Sequence, residues 1–220
     1  MTRFFNALSN FFEIYGDMFF NAIQKHLLYV LVSVAVGFVL GLVFGILLSR
    51  APQLSAITLP LISVFQTIPG IVFIGILFLY TGMKPITVLI ALSIYAMFPV
   101  LKNTYTGLLG VEKQYLEAAW GCGMTPMQTL MQVELPLAMP NIIGGLRLST
   151  VYTVSWPTLA AIIGLGGLGD FIYQGVSSNN DTLILAGAIP AAIMAVVLGK
   201  LIDRLQIAVT PRGLRKGGAK

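Results

Sequence analysis

The chain has 220 residues, of which 57% are hydrophobic and 10% charged, where a soluble domain carries roughly 25% charged residues. That depletion excludes an ordinary soluble enzyme and implies a surface that largely faces lipid, where an ionised side chain is strongly disfavoured. The formal charge of +5 does not point to nucleic acid, because no basic patch is interleaved with aromatic residues.

Residues 1–25 precede the first long apolar run. Phe4, Leu8, Phe11, Phe12, Tyr15, Phe19 and Ile23 fall mostly at helical spacing, which predicts an amphipathic helix lying on the membrane surface. A contact with another subunit is the other reading of the same face. Glu13 and Asp17 interrupt any signal-peptide core. His26 has no Cys or carboxylate cluster at ligand spacing, and reads as a membrane-interface histidine rather than a metal ligand or catalytic base.

Residues 26–207 form the predicted membrane domain. Residues 27–48 carry no charge and are long enough to span as a helix. Gly37, Gly41 and Gly45 make a small-residue stripe suited to internal helix packing. The next uncharged run, 51–83, is too long for one straight span, and Pro60 and Pro69-Gly70 are expected to break it. A broken backbone in lipid must be satisfied by protein or by a watery path. Gln66 and Thr67 beside the break are therefore pathway candidates, with polarity serving only the kink as the alternative. Spans three, four and five are expected at 85–101, 140–164 and 182–199. Arg147 in the fourth reads as a snorkelling anchor or a functional charge, and Trp156-Pro157 interrupts that span.

Between spans three and four, residues 111–136 are polar enough to leave the bilayer. Residues 113–120 are good helix formers, and Gly121-Cys122-Gly123 provides a stop. Thr125-Pro126-Met127-Gln128 can cap and start a second helix, and Pro136 begins the return to the membrane. Cys122 is the single cysteine, so there is no intrachain disulfide. Arg50, Lys102 and Lys113 fall on one side together with a basic tail, residues 208–220, which contains Arg212, Arg215, Lys216 and Lys220. The positive-inside bias makes that side cytoplasmic, with the N-terminus outside and the C-terminus inside.

This loop carries a pattern. Glu117-Ala118-Ala119 is followed after three residues by Gly123, and after nine more by Val133-Glu134-Leu135-Pro136. It resembles the EAA motif, the cytoplasmic coupling loop of ABC importer permeases, at every position. The resemblance implies an all-α membrane protein with about five transmembrane helices, of the methionine-permease-like ABC importer type, with an N-terminal amphipathic helix and a cytoplasmic coupling helix. It also implies that Glu117, Ala118, Ala119, Gly123, Leu135 and Pro136 couple the chain to separate ABC ATPase subunits, which use ATP and Mg. No cofactor or metal is expected in this chain, which is then not itself an enzyme; it has no GxxxxGK[ST] phosphate loop. Further implied partners are a second permease copy or paralogue, an extracytoplasmic substrate-binding protein and the lipid bilayer, in a bacterial plasma membrane.

Gly164-Leu165-Gly166-Gly167-Leu168-Gly169 matches GxGxxG. A dinucleotide site needs a strand before it and a helix after it, whereas here the motif closes a membrane span. Gly166, Gly167 and Gly169 are read as a turn at an external gate. With the segments 133–140, 158–164, 166–172, 66–69 and 103–107, the chain resembles the osmoprotectant branch, which moves glycine betaine, carnitine and choline. Methionine-type permeases share the Gly-Gly-Leu-Gly and the layout, so methionine or another small solute is the alternative cargo. A quaternary amine suits aromatic faces. Tyr95, with Phe98 on the third span, and Tyr152 and Trp156 on the fourth are the candidates, and plain packing is the competing role. A passive channel is the alternative of a different class, and flux without any ATPase would reveal it.

Overall fold

The structure, a computed structural model, describes residues 2–210; most of the basic tail lies outside the described residues. All the elements described are helical. They are α1 (Thr2–Ser49), α2 (Pro52–Phe65), α3 (Gly70–Thr81), α4 (Pro85–Leu109), α5 (Lys113–Gly121), α6 (Pro126–Thr129), a π turn (Leu130–Glu134), α7 (Leu135–Ser155), a 3-10 segment (Trp156–Ile163), α8 (Leu168–Ser177) and α9 (Asp181–Val209).

The N-terminal segment and the first span form one helix. At 48 residues α1 is about 72 Å long, more than twice the ~30 Å hydrocarbon core, so it has length for a crossing and for an extension beyond it. The aromatic face of that extension has a partner inside the chain. Phe11, Tyr15, Phe19 and Ile23 pack with Phe171 of α8 and Leu183 of α9, with Phe11 and Phe19 ring centroids 6.1 and 5.9 Å from that of Phe171. Phe11, Tyr15, Phe19 and Ile23 of the stripe that the sequence assigns to a lipid surface or a second subunit thus make an internal contact, while Phe12 is 42% exposed and the side chains of Phe4 and Leu8 lie outside what the structure describes.

α1 lies along α4 through its glycines. A Cβ on Gly37 would sit 2.6 Å from that of Ala96, one on Gly41 2.7 Å from the Met97 carbonyl oxygen, and one on Gly45 2.6 Å from the Thr104 Cβ. Only hydrogen at these positions allows the close approach, as the sequence spacing predicts.

Phe11–Ser49, Pro85–Leu109 and Asp181–Val209 are long and apolar enough to cross a membrane. The pair α2 and α3, bent by 94° at the break, makes a fourth candidate. The sequence reading of about five crossings also counts α7, whose apolar character is interrupted by Asn141 and Arg147.

Pro60 does not break α2, which continues through it; the loss of one donor is tolerated among apolar helix residues. The break falls between Phe65 and Gly70, with Pro69 at ψ 130° as the N-cap of α3; a proline also disfavours the helical conformation in the residue before it. Trp156-Pro157 changes α7 into the 3-10 segment rather than kinking it. α9 starts on a cap, with the Asn180 side-chain oxygen accepting from the Thr182 and Leu183 N–H groups at 3.0 and 3.3 Å.

Candidate functional site

The elbow between α4 and α7 is built from local signals. α5 ends in a Schellman motif: the Met124 N–H bonds the Ala119 carbonyl at 3.1 Å and the Gly123 N–H bonds the Trp120 carbonyl at 2.9 Å. Gly123 stands at φ +77°, a left-handed conformation that side chains disfavour. α6 begins on a closed capping box, in which the Thr125 N–H donates to Gln128 Oε1 at 2.8 Å and the Gln128 N–H to Thr125 Oγ1 at 3.3 Å. The π turn precedes Pro136, which offers no N–H and whose ring crowds the carbonyl four residues back.

The elbow presents one side to its surroundings and the other to the fold. Glu117, Ala118 and Gly123 are exposed, while Ala119 is buried. Trp120 and Met127 are 60% and 65% exposed. Leu135 and Pro136 are half-buried. Leu135 packs with Leu130 on a cluster of Leu108, Ala138 and Ile142, which Phe38, Leu42 and Ile46 of α1 complete.

One contact here has no signal in the sequence. Glu134, at the end of the π turn, is 5% exposed and accepts from Arg50 Nη2 at 2.6 Å. Arg50 occupies the corner between α1 and α2, 84 residues away in sequence. Glu134 is the variable position between Val133 and Leu135, and spacing alone gives it no role.

A second feature lies at the α2–α3 break. Gln66, Tyr95, Tyr152 and Trp156 line one cavity of about 300 Å3, together with Leu92, Pro99 and Thr153. The Tyr95 hydroxyl donates to the Ile68 carbonyl at 2.8 Å, so α4 grips the break directly. The Tyr95 and Trp156 rings lie 4.1 Å apart between centroids. Trp156 also covers Gly70, where a Cβ would collide with the indole. Phe65 and Phe73 stand behind Tyr95 at 6.2 and 5.5 Å. Thr67 is not among the lining residues; its hydroxyl turns back to the Val64 carbonyl at 2.6 Å.

The glycine turn packs against α1. Gly166 and Gly167 have φ of +77° and +104°, and Gly169 sits directly on the Thr158 backbone. A hollow of about 310 Å3 beside them is lined by Asp17, Lys25 and Asp170 among others. Burial pushes the Asp170 carboxyl up from its ordinary value, and Lys25 pulls it the other way.

Two single residues, His26 and Arg147, each join one helix to another. His26 is fully buried and its Nε2 donates to the Val154 carbonyl at 2.9 Å, so it is a core residue joining α1 to α7 and not an interface one. Arg147 of α7, read as an anchor or a functional charge, pairs with Asp203 of α9 at 2.6 Å, both side chains about half exposed, so it ties the two helices together.

Known proteins share this architecture and sequence. The family described as the binding-protein-dependent transport system inner membrane component matches residues 37–214. The carnitine transport permease protein OpuCB of Listeria monocytogenes is 37% identical over 96% of this chain and 97% of its own length. The glycine betaine/carnitine/choline transport system permease protein OpuCB of Bacillus subtilis is 33% identical, over 96% and 97%. A chain of the inward-facing MetNI methionine ABC transporter superposes with a TM-score of 0.82 at 23% identity, covering 90% of this chain and 99% of that one, a likeness of fold.

Proposed function

This chain belongs to the family of binding-protein-dependent transport system inner membrane components, and within it we propose that the chain is the permease subunit of an ATP-driven importer of quaternary-amine osmoprotectants such as carnitine, choline and glycine betaine. The cargo is supported by the names of its relatives. The mechanism rests on one observation: an exposed, rigidly capped elbow that is tied to the rest of the fold at its base.

In this reading Glu117, Ala118 and Gly123 dock in a cleft of a separate ATPase, which holds the ATP and Mg. A second permease chain, identical or paralogous, completes the path, and an extracytoplasmic binding protein delivers the solute. The distribution of Lys and Arg supports a cytoplasmic elbow and C-terminus, with the N-terminus outside. Closure of the ATPases pushes α5 and α6. The Schellman motif and the capping box keep the push from dissipating in the loop. Glu134 hands it to Arg50 at the α1–α2 corner, and α2 leads to the break beside the cavity. A ligand or motor shifts such an equilibrium only by its different contacts in the two states, and the elbow supplies that differential contact.

Uptake into proteoliposomes containing the assembled transporter tests this. Labelled carnitine, choline or glycine betaine should enter only with ATP and binding protein present. Uptake of methionine in their place would reassign the cargo. Uptake that persists without the ATPase would make the chain a passive channel. Gly123→Val puts a β-branched residue into a left-handed turn, a strain of about 1–2 kcal/mol. It should depress uptake while leaving solute capture by the binding protein unchanged.

A further inference from the structure

The cavity at the α2–α3 break has walls that indicate a ligand class, an inference resting on the importer reading above. Three aromatic rings line it, Tyr95 from α4, Tyr152 from α7 and Trp156 from the 3-10 segment, and no Lys, Arg, Asp, Glu or His is among the described residues that line it. Such walls disfavour anions, which find no cationic partner, and small hydrated cations, which lose water and find no carboxylate. They suit a cation that carries no hydrogen-bond donor and is weakly hydrated, since the ring faces attract it through their quadrupoles.

Two of the rings are fixed before any ligand arrives. The Tyr95 hydroxyl is held by the Ile68 carbonyl at 2.8 Å, and Trp156 is wedged on Gly70 with its ring 4.1 Å from that of Tyr95. Rings already in place lose little freedom on binding. Tyr152 is 54% exposed and forms the open wall. Gln66 and Thr153 add polar groups at the same cavity, suited to the carboxylate or hydroxyl that accompanies the ammonium in betaines and choline. A volume of about 300 Å3 has room for one small solute.

We propose that this cavity is a transit site for the quaternary ammonium group inside the permease itself, independent of capture by the binding protein. Its walls come from the break, α4 and the end of α7, so a change in the 94° bend opens or closes it.

The test uses the purified full-length chain in lipid nanodiscs, with no ATPase and no binding protein. The chain has two tryptophans, and Trp120→Phe leaves Trp156 as the sole emitter. Choline, carnitine and glycine betaine are titrated against dimethylbutanol, the neutral carbon isostere of choline. Trp156 emission should respond saturably to at least one of the amines, with the isostere weaker by about tenfold or more. Tyr152→Leu should weaken the amine by about tenfold, while the ring-retaining Tyr152→Phe stays within about threefold. An isostere as effective as choline, an unaffected Tyr152→Leu, or no response to any amine would each overturn the site. ATP-driven uptake by the assembled transporter is read separately. A failed titration with intact uptake removes only this site, and a saturable titration without uptake removes only the importer reading.

Discussion

Glu134 is nearly buried and Arg50 half-exposed, with 6% and 48% of their side chains accessible, so the pair sits at the edge of the fold rather than within it. Removing one partner of a fully buried pair costs about 3–5 kcal/mol, whereas exposed pairs contribute about 0–1 kcal/mol. Glu134→Ala should therefore lower stability by about 1–2 kcal/mol, between those limits, read as a fall in Tm of the purified chain. Its effect on transport should be larger: ATP hydrolysis by the assembled complex continues while solute moved per ATP falls. The exchange of the two residues, Arg50→Glu with Glu134→Arg, should recover part of that coupling. Coupling unchanged in Glu134→Ala would remove the tie from the mechanism. The sequence does not reveal this pair because its partners are 84 residues apart along the chain, Arg50 belongs to no motif, and Glu134 holds the position at which its motif accepts any residue. The same applies to His26, whose bond to Val154 spans 128 residues. Gly123 and Thr125 are different. A left-handed turn and a capping box are written in adjacent residues, and both are legible in the sequence alone.

At the scale of elements, the α1–α4 contact depends on the absence of side chains. Gly41→Val would drive a branched side chain into the Met97 carbonyl and the Val100 Cβ, both 2.7 Å from the nearest position a Cβ could take. Overpacking of this kind costs about 1–3 kcal/mol, and thermal unfolding in detergent should show it. Gly144→Ala is the control, because nothing lies within 4 Å of its Cβ position; its Tm should stay at or slightly above that of the wild type. Equal destabilisation by both would mean that the stripe has no special packing role. The stripe is legible in the sequence as a four-residue repeat of glycine. The continuity of α1 is not, since Gln24, Lys25 and His26 look like the edge of a span although they continue the helix. Pro60 misleads in the opposite sense, because a proline reads as a break even where the helix tolerates it.

At the scale of the whole molecule, the fold separates two working regions and joins them through rigid pieces. The elbow lies at one end of α4 and α7. The aromatic cavity lies farther along the same two helices, where the 3-10 segment continues α7 and α2 meets α3. α1 packs along α4 and reaches Glu134 through Arg50. This gathering of Gln66, Tyr95, Tyr152 and Trp156 into one cavity depends on how α4 and α7 cross. The sequence names the residues as candidates but cannot bring them together. The side of the membrane on which the elbow works is the claim on which all else depends, and Cys122, exposed in the elbow and the single cysteine of the chain, reports it directly. A membrane-impermeant maleimide should label Cys122 in inside-out vesicles and not in intact cells, and assembly with the ATPase subunits should suppress the labelling. Labelling from the outside of intact cells, or labelling that the ATPase leaves untouched, would contradict the account.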